Sequence, residues 1–337
     1  MLNRRRPPDG QEMSLSDRYH RVVDYLRVSV TDRCNLRCLY CRPGDSDSVV
    51  YKEILSYEEI ARIISVAAGL GVRKIRLTGG EPLARKNVQY LIKKLAGMEG
   101  IEDISLTTNG LLLKRYAGEL KEAGLKRVNV SLDSIRPERY REITGGGSLE
   151  QVLEGVEQAH AAGLRPVKIN VVVIRGVNDD EVEDFARLTL TTPYHVRFIE
   201  FMPGSNNLWT RDKCIPVEEI KERIEAIAPV VAVKERRHGP ARYYRLAGAE
   251  GVLGFISAVS HHFCSDCNRL RLTADGKIRP CLFSGTTIDL KSAITMGASD
   301  KEIERLLRLS VAVKPEGHKI NEGVCGDFIR SMSKIGG

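Results

Sequence analysis

The chain has 337 residues, 42% hydrophobic and 28% charged, an ordinary globular composition with enough apolar material to bury a substantial core. No run approaches the roughly 20 apolar residues of a membrane span, and the stretch M-L-N-R-R-R-P-P-D-G-Q-E-M lacks the apolar core of a signal peptide; the expectation is a cytoplasmic protein with no membrane partner. The net charge of +8, from 52 basic against 44 acidic residues without a dominant basic tract, favours an anionic, phosphate-bearing partner, while aromatics at 6% give no stripe of the kind nucleic-acid binding uses.

Residues 1–16 read as a polar tail in which Arg4 to Arg6 form a solvated basic end. From Tyr25 onward, short β-branched runs alternate with longer helical patterns. Y-L-R-V-S-V (25–30), R-K-I-R-L-T (73–78), D-I-S-L-T-T (103–108), R-V-N-V-S-L (127–132), P-V-K-I-N-V-V-V (166–173) and Y-H-V-R-F-I-E-F (194–201) are predicted strands. Ser56 opens a helix with the capping box S-Y-E-E, running to about Leu70, and A-A-G-L (161–164) ends another with glycine past its last turn. Six successive strand-helix units predict an α/β fold with a parallel sheet and right-handed crossovers, either open and doubly wound or curled into part of a barrel. Past Met202 the rhythm becomes irregular. R-L-R-L-T-A-D-G-K-I-R-P-C (269–281) predicts a hairpin turning at Asp275-Gly276 through a type I′ turn. Leu290 to Val313 is mostly helical, and the final S-M-S-K-I-G-G has nothing to hold it in a regular element.

Three of the eight cysteines stand in C-N-L-R-C-L-Y-C (34–41). In a reducing compartment such clusters are metal ligands or catalytic groups rather than disulfides. Cys34, Cys38 and Cys41 follow the first strand, at the sheet edge where α/β proteins keep their chemistry. In a helical turn their i, i+4, i+7 spacing places all three sulfurs on one face. A structural zinc site takes four ligands, usually as two pairs. An iron-sulfur cluster generally takes four thiolates, so three leave one iron for a ligand that is not protein. The second strand ends in T-G-G-E-P-L (78–83), where two glycines allow backbone to approach a ligand and Glu81 offers an acceptor for an ammonium. Cys264, Cys267 and Cys281 form a second set of three. By themselves they fit either zinc, with His261, His262 or Cys325 as fourth ligand, or another iron-sulfur cluster; beside the first set, iron is favoured. Arg269 and Arg271 alternate onto one face between these ligands, which describes a site for a phosphorylated molecule with a ring nitrogen or oxygen to offer the iron.

C-x-x-x-C-x-Y-C followed one unit later by T-G-G-E-P-L resembles the signature of radical S-adenosylmethionine enzymes. From about residue 17 to the C-terminus, T-D-R-C-N-L-R-C-L-Y-C, T-G-G-E-P-L, T-T-N-G, V-S-L-D, K-I-N-V-V, R-F-I-E-F-M-P, F-C-S-D-C-N-R-L-R-L and the final I-G-G together resemble the GTP 3′,8-cyclase family of molybdenum cofactor biosynthesis; between about 285 and 330 the likeness is looser. The resemblance implies an incomplete (β/α)6 TIM-like barrel over 17–205, closed by a C-terminal iron-sulfur region over 206–337. It implies two 4Fe-4S clusters, one on Cys34, Cys38 and Cys41 that binds S-adenosylmethionine and one on Cys264, Cys267 and Cys281 that binds GTP. Tyr40, Gly80, Ser131 and Met202 are the implied contacts to S-adenosylmethionine, and Arg27, Arg76, Thr107, Lys168, Arg197, Arg269 and Arg271 those to GTP. Arg27, Arg269 and Arg271, with a Gly336-Gly337 tail entering the active site, are implied to support catalysis. The implied reaction takes hydrogen from C3′ of GTP with a 5′-deoxyadenosyl radical and closes the sugar onto guanine C8. An external electron donor and a downstream enzyme are the implied partners, and a homodimer is compatible. Competing readings are a peptide-modifying radical enzyme with an auxiliary cluster and a zinc-stabilised nucleic-acid-binding protein. Cys214 and Cys325 receive no role.

Overall fold

The computed structural model describes residues 14–41, 54–203, 208–233, 239–318 and 320. Residues 1–13 of the basic tail, Cys325 and the Gly336-Gly337 pair lie outside these residues; the end of the expected tail is instead ordered, with Leu15 buried and its N–H donating to Leu70 O, and Ser16 bridged to Val22. The six predicted strands are present as β1 (Tyr25–Ser29), β2 (Lys74–Thr78), β3 (Asp103–Thr108), β4 (Arg127–Ser131), β5 (Lys168–Val173) and β6 (His195–Glu200). Between them run α1 (Tyr57–Gly69), α2 (Val88–Ala96), α3 (Leu113–Glu122), α4 (Pro137–Thr144), α5 (Leu149–Ala161) and α6 (Val182–Thr191). The remainder forms α7 (Val217–Glu225), β7 (Val230–Ala232), β8 (Arg242–Leu246), β9 (Val252–Ile256), β10 (Arg269–Leu272), β11 (Lys277–Arg279), β12 (Ile288–Asp289), α8 (Leu290–Thr295) and α9 (Asp300–Ala312). No helix among the described residues is long and apolar enough to cross a membrane.

Strand alternation explains the layering. Leu26, Val28, Ile75, Leu77, Leu106, Val128, Val130, Ile169, Val171, Val196 and Phe198 are all buried on the face that meets the helices, each contributing about 1.5–3 kcal/mol on burial. The intervening residues Arg27, Arg76, Ser105, Thr107, Asn129, Asn170 and Arg197 share the opposite face, which is mostly polar. Helix α1 shows how the outer layer is specified. Its Ser56 and Glu59 form the predicted capping box, and Ile60, Ile63, Ile64 and Ala67 bury one stripe against the sheet. Past α5, Gly163 takes the left-handed conformation that ends the helix.

The six strand-helix units form the expected partial barrel, and the C-terminal region lengthens its sheet at both edges. β10 pairs in parallel with β1, and β9 in parallel with β6. Eight parallel strands thus run in the order β10-β1-β2-β3-β4-β5-β6-β9, with antiparallel β11-β12 beyond one edge and β8-β7 beyond the other. One feature differs from expectation: the hairpin at Asp275-Gly276 is not type I′. Gly276 has φ +78° and its N–H donates to Thr273 O, while Asp275 keeps negative φ. This is a type I turn closed by a left-handed glycine, tightened by the Thr273 hydroxyl accepting from Lys277 N.

Candidate active site

The polar face of the sheet curls around a cavity of about 310 Å³. Side chains from β1 (Tyr25, Arg27), β4 (Ser131), β6 (Arg197) and β10 (Arg269, Arg271) all reach it, which a flat sheet would not allow. It gathers nearly every residue singled out from the sequence. Cys34, Cys38, Cys41, Cys264, Cys267 and Cys281 line it, as do Tyr40, Gly80, Ser131 and Met202, and Arg27, Arg76, Thr107, Arg197, Arg269 and Arg271. Lys168 meets the cavity edge, its Nζ 3.1 Å from the hydroxyl of Tyr243, which lines the cavity.

The first cysteine loop is not helical. Arg37 N and Leu39 N donate to Thr144 O and Ile143 O at the end of α4, and Cys41 N donates to Cys38 O, so the loop is strapped down with its thiols on one side. Burial raises the Cys38 pKa well above that of an ordinary thiol, and the neighbouring Cys41, Asp133 and Cys34 add to the effect. Three such groups ionise together only beside strong positive charge, which is what a metal cluster provides. The T-G-G-E-P turn is built for this loop more than for a ligand. A Cβ on Gly79 would lie 2.1 Å from Thr31 O, and one on Gly80 2.2 Å from Arg33 O. Both glycines thus admit the backbone that carries the cysteines; Gly80 N donates to Thr31 O and Glu81 N to Arg33 O. Glu81, expected to meet an ammonium, is instead fully buried, with its carboxylate accepting from Thr108 Oγ1, Asn109 N and Leu83 N. It holds the end of β3 against the turn.

One residue that sequence reasoning passed over is Asp133, the last residue of V-S-L-D. Its carboxylate accepts from the Tyr40 hydroxyl and from Val172 N at 2.8 Å. Burial raises its pKa to about 6, against the pull of those two donors. Tyr40 is thereby fixed edge-on to Phe201 at the cavity wall.

The second cysteine set sits where Cys264, in a short 3-10 turn, Cys267 and Cys281 converge at the start of β10 and the end of β11. Burial would raise the Cys267 thiol, but Arg269 and Lys314 outweigh it and bring the pKa down to about 6. Lys314, also missed from sequence, is only 2% exposed; its Nζ meets Cys267 Sγ at 3.5 Å, Arg269 O at 2.8 Å and Pro280 O at 2.7 Å. Arg21 ties the turn to the segment after α9 by donating to the carbonyls of Cys264, Pro315 and Glu316. Of the zinc ligands considered, His261 is exposed and faces Glu218, whereas His262 lines the cavity against the ring of His318. Among the described residues, no three or more His, Cys, Asp or Glu side chains gather tightly enough for a single metal ion.

Charge inside the sheet is distributed unevenly. At the N-terminal ends of β2 to β4, Lys74 pairs with Asp24 and Arg127 with Asp103. Further along, Arg271, Arg27 and Arg76 are direct cross-strand partners on three adjacent strands, an arrangement that is destabilising for like charges. Burial first, then Arg269, lowers the Arg271 pKa to about 10; burial, then Arg271 and Arg76, lowers Arg27 well below its ordinary value. Arg76, Arg197 and Arg269 meet no carboxylate among the described residues: Arg76 reaches Ser105, Arg197 reaches Asn129, and Arg269 reaches Cys267. Glu200, considered as an internal partner for the arginines, is occupied elsewhere, accepting from Val217 N, Val259 N and Ser260 N. Thr107 Oγ1, Asn170 Oδ1 and Arg197 Nε are buried beside the cavity without hydrogen-bond partners among the described residues. The lumen therefore has the composition of an anion site walled by two sets of thiols.

Residues 28–189 match the Radical SAM superfamily, and residues 194–320 match Molybdenum Cofactor Synthesis C. The chain is 50% identical over 326 residues to a protein of Thermodesulfovibrio yellowstonii named GTP 3′,8-cyclase, covering 96% of this chain and 100% of that one. It is 52% identical over 327 residues to a GTP 3′,8-cyclase of Pelotomaculum thermopropionicum, with the same coverage. Among solved structures, Streptococcus suis SuiB bound to S-adenosylmethionine superposes with TM-score 0.62 at 15% identity, over 94% of this chain and 78% of that one, a likeness of fold. At half identity over essentially full length, with both segments matched in order, this chain belongs to the GTP 3′,8-cyclase family of the Radical SAM superfamily.

Proposed function

We propose that the protein is a radical enzyme that converts GTP into 3′,8-cyclo-7,8-dihydro-GTP, an early step of molybdenum cofactor biosynthesis. The observation that carries this reading is the row of like-charged cross-strand neighbours Arg271, Arg27 and Arg76, set in one cavity between two sets of three cysteines. Cys34, Cys38 and Cys41 would hold one 4Fe-4S cluster and Cys264, Cys267 and Cys281 another, with the segment 17–205 forming the barrel and 206–337 the auxiliary-cluster region. When bound, the first cluster with S-adenosylmethionine supplies a 5′-deoxyadenosyl radical, and the second supplies an open iron for the guanine edge. The residues do the remaining work. Tyr40, held by Asp133, and Gly80, Ser131 and Met202 position the sulfonium cofactor at the C-terminal ends of the strands. Arg27, Arg76, Arg197, Arg269 and Arg271 neutralise the triphosphate and fix the ribose so that C3′ faces the cofactor, with Thr107 as a neutral donor. In GTP, loss of the C3′ hydrogen atom leaves a carbon radical that adds to C8 of the same guanine. One electron from an external donor and one proton, delivered to N7, complete a product isomeric with GTP. The enclosing sheet excludes water while these radicals exist. A cytoplasmic setting with an enzyme that takes the cyclised nucleotide fits this chemistry. The zinc-stabilised nucleic-acid reading loses its support because these basic residues face the lumen.

Anaerobically reconstituted protein tests the assignment. It should hold roughly eight irons per chain, with electron paramagnetic resonance showing S-adenosylmethionine perturbing one cluster and GTP the other. A protein whose two clusters respond to neither compound would overturn the proposal.

A further inference from the structure

The family resemblance implies that Lys168 of β5 contacts the substrate. Its Nζ donates to Tyr243 of β8, a cavity-lining residue outside every motif in the sequence. Its presence there depends on a glycine. Arg197 of β6 and Tyr243 of β8 are both register partners of Gly254 on the strand between them. A Cβ on Gly254 would lie 2.8 Å from Arg197 Cγ and 3.2 Å from the Tyr243 ring. With no side chain in the middle position, two residues a full strand apart close over the gap and meet. The Tyr243 hydroxyl accepts from Lys168 Nζ at 3.1 Å and from the Arg197 guanidinium, and Lys168 Nζ also lies 5.1 Å from the centre of its ring.

A phenol has one proton to donate and two lone pairs to accept with. Both acceptor positions are taken by cations, and the proton meets no acceptor among the described residues. Burial resists ionisation of Tyr243, yet Arg197 and Lys168 hold its pKa below that of an ordinary phenol, which strengthens the hydroxyl as a donor to an anion. Arg197 is nine-tenths buried, and its Nε has no partner among the described residues.

We infer that Tyr243 is a further substrate-positioning residue: its hydroxyl donates to a phosphate oxygen of the bound nucleotide while accepting from Lys168 and Arg197, which orient it. This rests on the reading of the cavity as a GTP site.

The test is steady-state kinetics on the anaerobically reconstituted holoenzyme with both clusters, comparing wild type, Tyr243→Phe, Lys168→Met and the double variant. Tyr243→Phe keeps the ring and its packing against His195, and iron content with thermal melting confirms that it folds. Its KM for GTP should rise about tenfold, with a much smaller change in kcat and none in the KM for S-adenosylmethionine. Lys168→Met should raise the KM for GTP in the wild-type background but add less than twofold in the Tyr243→Phe background. An unchanged KM in Tyr243→Phe, or a Lys168 effect undiminished in the double variant, overturns the inference. Wild-type enzyme that forms no cyclised nucleotide would instead remove the functional reading on which the inference stands.

Discussion

Arg197→Met separates an arginine kept for a ligand from one kept for the fold. Burial is the main reason that the Arg197 pKa lies near 10, two to three decades below an ordinary guanidinium. At 1.36 kcal/mol per decade this is about 3 kcal/mol against the charged form. Methionine keeps most of the aliphatic stem and removes that penalty, but it leaves Asn129 Oδ1, which now accepts from Arg197 at 2.6 Å, without its donor. An orphaned buried acceptor costs about 1–3 kcal/mol. The two nearly offset, so the nucleotide-free variant should melt at the wild-type temperature or a few degrees above it. GTP binding should move the other way, weakening by about 2–4 kcal/mol, or roughly 30- to 1,000-fold, for the loss of a buried charge-assisted contact. Thermal melts of reconstituted protein, with and without GTP, report both quantities in one series. Were Arg197 part of a structural network, its removal would cost about 3–5 kcal/mol. A large fall in melting temperature with unchanged GTP affinity would therefore refute the reasoning.

Other perturbations follow from the same geometry. Cys281→Ser should halve the iron content to roughly four per chain and leave reductive cleavage of S-adenosylmethionine intact without cyclised product, whereas Cys38→Ser should abolish cleavage; retention of product formation by either would contradict the assignments. Gly80→Ala places a methyl group 2.2 Å from Arg33 O, so it should displace the first cysteine loop and selectively lose the S-adenosylmethionine-responsive cluster signal, and an unaltered signal would argue against the packing described. Burial, followed by Lys168 and Arg197, holds His195 down to about 3. The folded chain then takes up no proton there while the unfolded chain does below about pH 6.5, so stability is lost as pH falls, by about 1.4 kcal/mol between roughly pH 7.5 and 5.5. His195→Gln should flatten that slope in pH-dependent melts, and an identical slope would refute the assignment.

The strands were legible because arginine, serine, threonine and asparagine alternate with apolar residues at period two, a pattern that only a sheet with a polar lumen explains. The cysteine spacing pointed to its chemistry because three thiols in eight residues have few other uses. What stayed hidden depends on contacts between segments distant in sequence. β10 joins β1 across more than two hundred residues, and V-L-G-F-I of β9 is a continuous apolar run that periodicity does not assign to a helix or a strand. Lys314 and Tyr243 stand outside every motif, and nothing local shows that one meets Cys267 and the other Lys168. Glu81 was misplaced for a related reason. Its motif suggested a ligand, while the three donors that occupy its carboxylate come from β3 and the turn itself.

The most direct test of the account is turnover with GTP carrying deuterium at C3′, under anaerobic conditions with S-adenosylmethionine and dithionite. The account predicts 5′-deoxyadenosine one mass unit heavier, formed only when nucleotide is present, together with a cyclised product that has lost the label. Unlabelled 5′-deoxyadenosine, produced equally with and without GTP, would contradict it.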